Sequence, residues 1–261
     1  MPVLKHELKW HMRFLRGWLI AVVLTVALFM SFFNAFNEGM DQVVKMLEGF
    51  PEEVMRGFGL EISSFGTYSG FLAYIYTFVQ FLLVIIAVMS GMMLMGREKI
   101  SKTGDFLFSK PVSRSSLWVQ KNTVGFLGIL LINAVVAAII YGLAVVQDVE
   151  MEIAVRDILF SSVLVQLIFF LFGGMLATMR KRLRTVTGTA SSIGIGFYFL
   201  LIIGRLLEED KLSKISIYGL FDTAQVQKNG IETVNLVIGC VLATAFAFIG
   251  YQLYTKMDLE V

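Results

Sequence analysis

Six runs free of Asp, Glu, Lys and Arg recur along the chain, at 17–37, 62–96, 122–147, 158–179, 185–204 and 233–255. Each holds at least 20 residues. At ~1.5 Å per residue, a helix of that length crosses a hydrocarbon core of ~30 Å. Every formal charge lies outside these runs, so the pattern predicts six transmembrane helices. The polar segments have periodicities of their own. In residues 1–16, Leu4, Leu8, Met12 and Leu15 recur every three or four positions, while Lys5, Lys9, Arg13 and Arg16 occupy other faces. That spacing predicts an interfacial helix lying on the membrane before the chain turns into its first span. In 38–61, Met40, Val43, Val44 and Leu47 form one stripe, and Pro51 suits the first turn of a second short helix bearing Val54, Met55 and Phe58. Segment 205–232 mixes charges with Leu212, Ile215, Ile217 and Phe221 and reads as a further short surface helix. The expected fold is all-α: one polytopic transmembrane domain over 1–261, with short amphipathic helices outside the membrane.

Composition agrees. Hydrophobic residues make up 57% of the chain, charged residues 16%, and mean hydropathy is +0.76. Soluble domains carry about 25% charged residues, so a soluble globular protein is excluded. The net charge of +2 decides little, but its distribution sets an orientation. Segments 1–16, 97–121, 180–184 and 256–261 hold 15 Lys and Arg against 5 Asp and Glu. Segments 38–61, 148–157 and 205–232 hold 7 against 15. Short loops rich in Lys and Arg stay inside, which places both termini in the cytoplasm. The excess acid of the first outer loop could mark a lid that attracts a cation, although inside–outside asymmetry already accounts for its sign. The single Cys240 excludes a disulfide framework and is expected as a small packing residue within a helix. His6 and His11 lack metal-ligand spacing and are expected to face headgroups. No cleavable signal peptide is expected, because the first apolar run is about 20 residues long and lacks a small-x-small pattern.

Within the spans, Gly188, Ser192 and Gly196 fall at i, i+4 and i+8, a small-residue stripe for close helix packing or for a seam between subunits. Tyr76, Thr77 and Gln80 give the second span polar character and are candidates to line a path. Asn133 and Gln166 are expected to be interhelical hydrogen-bond partners. Met89, Met92, Met93 and Met95 are expected as adaptable packing.

The basic segment 97–121, between the second and third spans, has more pattern than a tether needs. A helix from Glu98 to Ser109 would put Ile100, Gly104, Leu107 and Phe108 on one side, with Glu98, Lys102, Asp105 and Ser109 on the other. Phe106 falls on the polar flank, where it has no membrane to enter. Pro111 ends the helix, and Ser113 suits the N-cap of the next span. The stretch KTGDFLFSKPVSRSSLWVQK, with Glu98 before it, resembles the cytoplasmic loop of ABC-type-2 permeases, the membrane subunits of a bacterial exporter class. The matching elements are Glu98, Thr103, the apolar trio Phe106, Leu107 and Phe108, and the run Pro111, Val112, Ser113 and Arg114. The basic N-terminal helix, the six spans, the Pro-containing first outer loop and a final Tyr-x-Lys-x-Asp-Leu extend the resemblance over most of the chain. Asp105 stands where Glu or another residue is common, and Met257 where many relatives have Arg.

The resemblance implies a permease of the bacterial cytoplasmic membrane. It would pair with a second copy of itself or a similar permease and bind two cytosolic ABC ATPase subunits. Residues 97–121 would form the coupling helix, with Glu98, Lys102, Thr103, Gly104, Asp105, Phe106, Leu107, Lys110, Pro111 and Arg114 in the coupling role. The chain has no G-x-x-x-x-G-K-[ST] motif, so ATP and Mg would be held by the partner ATPase, and no cofactor or metal is expected on this chain. Its other surroundings would be membrane lipid, not nucleic acid. Cargo would be amphipathic, a peptide or drug-like molecule, as in antimicrobial peptide resistance. A non-transporting sensor or resistance module remains the alternative. An ion-coupled transporter or channel fits less well, because the spans lack ionisable groups. An intramembrane enzyme fits least, for want of H-E-x-x-H, G-x-S-x-G or paired carboxylates.

Overall fold

The computed structural model describes residues 2–47, 49–60, 62–101, 113–180, 183, 185–207 and 210–256. Among these the regular structure is helical throughout, with no strand. Six helices are long and apolar enough to cross a membrane. They are α1 (Pro2–Ser31, continued after one residue by α2, Phe33–Glu38), α6 (Tyr68–Met95), α8 (Arg114–Val146), α9 (Ile153–Met179), α10 (Val186–Leu206) and α14 (Thr233–Thr255). Lipid offers backbone groups no hydrogen-bond partners, so chains this apolar must satisfy them within helices. The short helices are α3 (Met40–Leu47), α4 (Glu52–Gly57), α5 (Ile62–Phe65), α7 (Arg97–Ser101), α11 (Asp210–Ile215), α12 (Ile217–Leu220) and α13 (Thr223–Asn229). As expected, α3 and α4 lie in the first interspan loop, with Pro51 at the N-cap of α4.

The bundle is built on α6 and α9. Their apolar windows are 78% and 67% buried, against 17–33% for the other four spans. Glycines allow the two to cross closely. A Cβ at Gly91 would strike the Phe170 carbonyl, and one at Gly173 would come 2.5 Å from the Val88 oxygen. Met89, Met92 and Met95 fill the basal part of this crossing as packing residues. Between α8 and α9, the Asn133 amide donates to Gln166 Oε1 at 3.1 Å, and Gln166 Nε2 returns a bond to Asn133 Oδ1 at 3.0 Å. Ser162 completes this interhelical network. The end that gathers the start of α1, α7, the start of α8 and the ends of α9 and α14 is here called basal; the opposite end is distal.

Four expectations need correction. The N-terminal segment does not turn after residue 16, because α1 runs unbroken from Pro2 to Ser31. Gly17 lies in open space and breaks nothing; a lone glycine costs a helix only about 1 kcal/mol. The buried face of α1 is Glu7, His11, Leu15, Val22, Val26 and Met30, a single stripe that carries the helix along the bundle. His11 is therefore not a headgroup-facing residue: it is 1% exposed and packs against Gly128 of α8, where a side chain would collide with its ring. Segment 205–232 is not a surface helix either. Ile217, Tyr218, Leu220 and Phe221 are buried, with Tyr218 5.2 Å from the Phe169 ring and Phe221 against Gly239. Ser213 fits between Gly204 and Gly219, which leave room for its backbone. Cys240 is exposed, not packed, because Asn235, Gly239, Gly250 and Tyr254 form the buried positions of α14.

Candidate functional site

The basal loop enters and leaves the bundle through a set of charged contacts. Gly96 caps α6, and α7 begins at once with Arg97, Glu98 and Lys99, each turned toward a different helix. Arg97 reaches α1: Nη1 lies 2.8 Å from Glu7 Oε2, Nη2 lies 3.0 Å from His6 Nε2, and the guanidinium sits 4.6 Å from the Trp10 ring centroid. Lys99 reaches the end of α9, where Nζ donates to the carbonyls of Ala177, Thr178 and Arg180 at 3.0, 3.0 and 2.8 Å. A cation there meets the negative end of the helix dipole and the carbonyls that have no partner within the helix. Partial burial pulls the Lys99 pKa below the ordinary lysine value, opposed by the neighbouring Glu98 carboxylate.

Glu98 turns inward. Its carboxylate accepts from Lys121 Nζ at 2.7 and 2.8 Å, and the same ammonium donates to the Leu94 carbonyl in the last turn of α6. The two side chains are 3% and 0% exposed. An ammonium has three donors, and three acceptors meet it here. Lys121 also lies 6.0 Å from the centroid of the Tyr254 ring of α14. Removing one partner from such a pair costs about 3–5 kcal/mol, whereas replacing both by apolar residues of similar volume is often neutral.

The returning limb is equally fixed. Ser113 caps α8 by accepting from the Ser116 amide at 3.2 Å, as its position suggested. Arg114 Nη1 donates to the Thr255 carbonyl at the end of α14 at 3.0 Å, Ser115 bonds to Tyr251, and Trp118 packs edge-on to the same ring. Of the residues singled out for coupling, Glu98 and Arg114 thus sit at the two roots of the loop. Lys102, Thr103, Gly104, Asp105, Phe106, Leu107, Lys110 and Pro111 lie outside the described residues. The anchoring roles of Arg97, Lys99 and Lys121 were missed from sequence, where they counted only as loop charge. The available signal was that Arg97 and Lys121 stand directly at the edges of two apolar runs.

The remaining candidates are scattered. Tyr76, Thr77 and Gln80 are buried on α6, and Thr77 shares a 2.9 Å hydroxyl contact with Thr223 of α13. Thr77 thus joins α6 to α13. Gly188, Ser192 and Gly196 all lie on the exposed side of α10; Gly196 has nothing within 4 Å of its Cβ position. The face of α10 packed within this chain is instead Ala190, Gly194, Leu201 and Gly204. At the distal end, a cleft of about 400 Å³ opens between α4, the end of α10, α11 and the start of α13, lined in part by Glu52, Arg56, Arg205 and Asp222. Arg205 and Asp222 form a bidentate pair at 2.9 and 2.7 Å, and Asp222 also accepts from the Ala224 amide at the start of α13. Gly59, at φ +69°, permits the close approach of Arg205, whose Nη1 lies 2.7 Å from the Cβ position.

Six membrane-length helices, two of them buried at the centre, with a charged loop stapled to the basal end, define a multi-pass all-α membrane protein. Residues 1–259 match the ABC-2 family transporter protein family, and the chain belongs to it. It is therefore a membrane permease component of an ABC transporter, a class without an ATPase of its own that works with an ATPase subunit. No protein of curated function matches the chain.

Proposed function

We propose that the chain is the permease of an ATP-driven exporter in the bacterial cytoplasmic membrane, with both termini cytoplasmic. Two copies, or this chain and a similar permease, flank the path, and the loop 97–121, apart from its buried root residues Glu98 and Lys121, seats in a groove of each cytosolic ATPase. ATP and Mg bind the ATPase, whose closure displaces the loop and with it the spans at the dimer seam. Cargo is amphipathic, peptide or drug-like, and leaves at the distal end beside the cleft that holds Glu52, Arg56 and the Arg205–Asp222 pair. The observation that carries this reading is the anchoring of both loop roots: Arg97, Glu98 and Lys99 on one side and Arg114 and Lys121 on the other engage α1, α6, α8, α9 and α14. A tether with no mechanical task has no need of such contacts. The charge bias of the segments supports the orientation.

The test is co-purification. Phe106, an aromatic that the sequence pattern puts on the polar flank of the loop, is the side chain best suited to a pocket on the ATPase. Replacing it with Asp should abolish recovery of ATPase activity with the tagged permease while leaving membrane insertion intact. Recovery at the wild-type level removes Phe106 from the docking surface.

A further inference from the structure

We infer that Glu98 and Lys121 act as a positioning pair. They make α7, the last turn of α6 and the first two turns of α8 one rigid stem, so that displacement of the loop reaches the spans instead of bending at its root. The inference rests on the coupling function proposed above. It assigns Lys121 a part in that function and has Glu98 act through Lys121, not at the ATPase surface.

Three features of the site lead here. The pair spans the two limbs of the loop: Glu98 is the second residue of α7, and Lys121 lies two turns beyond the Ser113 cap of α8. Ser113 and Arg114 already secure the returning limb, so a second, deeper tie does more than hold the chain in place. The geometry is also fully specified. Both carboxylate oxygens and the Leu94 carbonyl converge on one ammonium. Apolar contacts are non-directional and let surfaces slide, whereas an ammonium with every donor engaged fixes distance and angle together. Finally, the flanking charges of α7 extend the stem outward, Arg97 to α1 and Lys99 to the end of α9. Beyond α9, Arg180 Nη1 donates to Thr189 Oγ1 of α10 at 3.1 Å. A rigid root would thus pass one movement to several helices at once. Apolar replacements of similar volume at a buried pair are often neutral for stability, and that is what makes its mechanical part separable from folding.

The experiment uses the permease co-purified with its ATPase subunit in lipid nanodiscs, with Cys240→Ala removing the native thiol. Spin labels at Val146→Cys and Ile203→Cys, both exposed at the distal end, report the separation of α8 and α10, with labelled copies diluted among unlabelled ones. Distances are measured without nucleotide and after trapping with ATP and vanadate. The parent assembly should show a nucleotide-dependent shift. The Glu98→Leu/Lys121→Met variant should still bind the ATPase, hydrolyse ATP and melt near the parent, but lose the shift. If it does not assemble, Glu98→Gln with Lys121→Gln, which keeps polar side chains without the charges, takes its place with the same expectation. A retained shift in an assembled variant overturns the inference, as does failure of both variants to assemble, which would make the pair part of the fold alone. A parent that binds no ATPase, or shows no shift, overturns the coupling function itself.

Discussion

Asn133 shows how a single side chain acquires its role in this bundle. A buried amide inside a span must find a partner, and Asn133 and Gln166 find each other across α8 and α9. Replacing Gln166 with Leu should lower the detergent melting temperature, with a cost of about 0.6–1.7 kcal/mol. The Asn133→Leu/Gln166→Leu double variant should recover part of that loss, because it leaves neither amide without the other. A double-mutant cycle measures the coupling, and strictly additive losses would show that the two do not support one another. This pairing was legible in the sequence, since an amide in an apolar run has few alternatives. The fates of His11 and Cys240 were not, because they depend on which face of α1 and α14 meets the bundle. Thr77 was equally ambiguous: a hydroxyl fit to line a path is equally fit to bond a neighbouring helix, and Thr223 takes it.

Helix by helix, close approach is set by glycines other than those that form the visible stripe. Gly188, Ser192 and Gly196 have regular spacing but face away from this chain. Gly91, Gly173 and Gly174, which make no such repeat within one helix, set the α6–α9 crossing. Spacing within one helix cannot reveal a packing motif whose halves lie on two. The two sets should therefore respond differently. Gly91→Ala forces its methyl onto the Phe170 carbonyl and should destabilise the protomer by at least about 1–3 kcal/mol, read as lost yield and a lower melting temperature. Gly196→Leu has open space around it and should leave the protomer fold unchanged while reducing dimer content in light scattering. Undiminished dimer content and activity would leave the exposed stripe without a role. The wedge of α12 was hidden for a related reason. The charges of Lys214, Asp222 and Lys228 around it made the segment read as surface, yet Asp222 pairs with Arg205 and the apolar residues between enter the bundle. The N-terminal helix misled in the opposite way: its basic face suggested the membrane surface, but Glu7, His11 and Leu15 continue the same buried stripe into the span.

For the molecule as a whole, the six spans were legible because charge is costly in lipid and marks their ends. The loop was legible as an unusual segment through its own pattern, and its family resemblance agrees with the match over residues 1–259. Its wiring was not, because Glu98 and Lys121 are 23 positions apart and meet only once α6 and α8 pack side by side. The distal cleft likewise needs three separate segments to come together. The proposed coupling requires the charged roots of α7 and α8 to lie on the side of the membrane where ATP is available. The most direct test is labelling of Phe106→Cys, in a Cys240→Ala background, with a membrane-impermeant maleimide. Intact cells should leave position 106 unlabelled, and permeabilised cells should label it, more slowly when the ATPase is co-expressed. Labelling of intact cells would place the loop outside and contradict ATP-driven coupling through it.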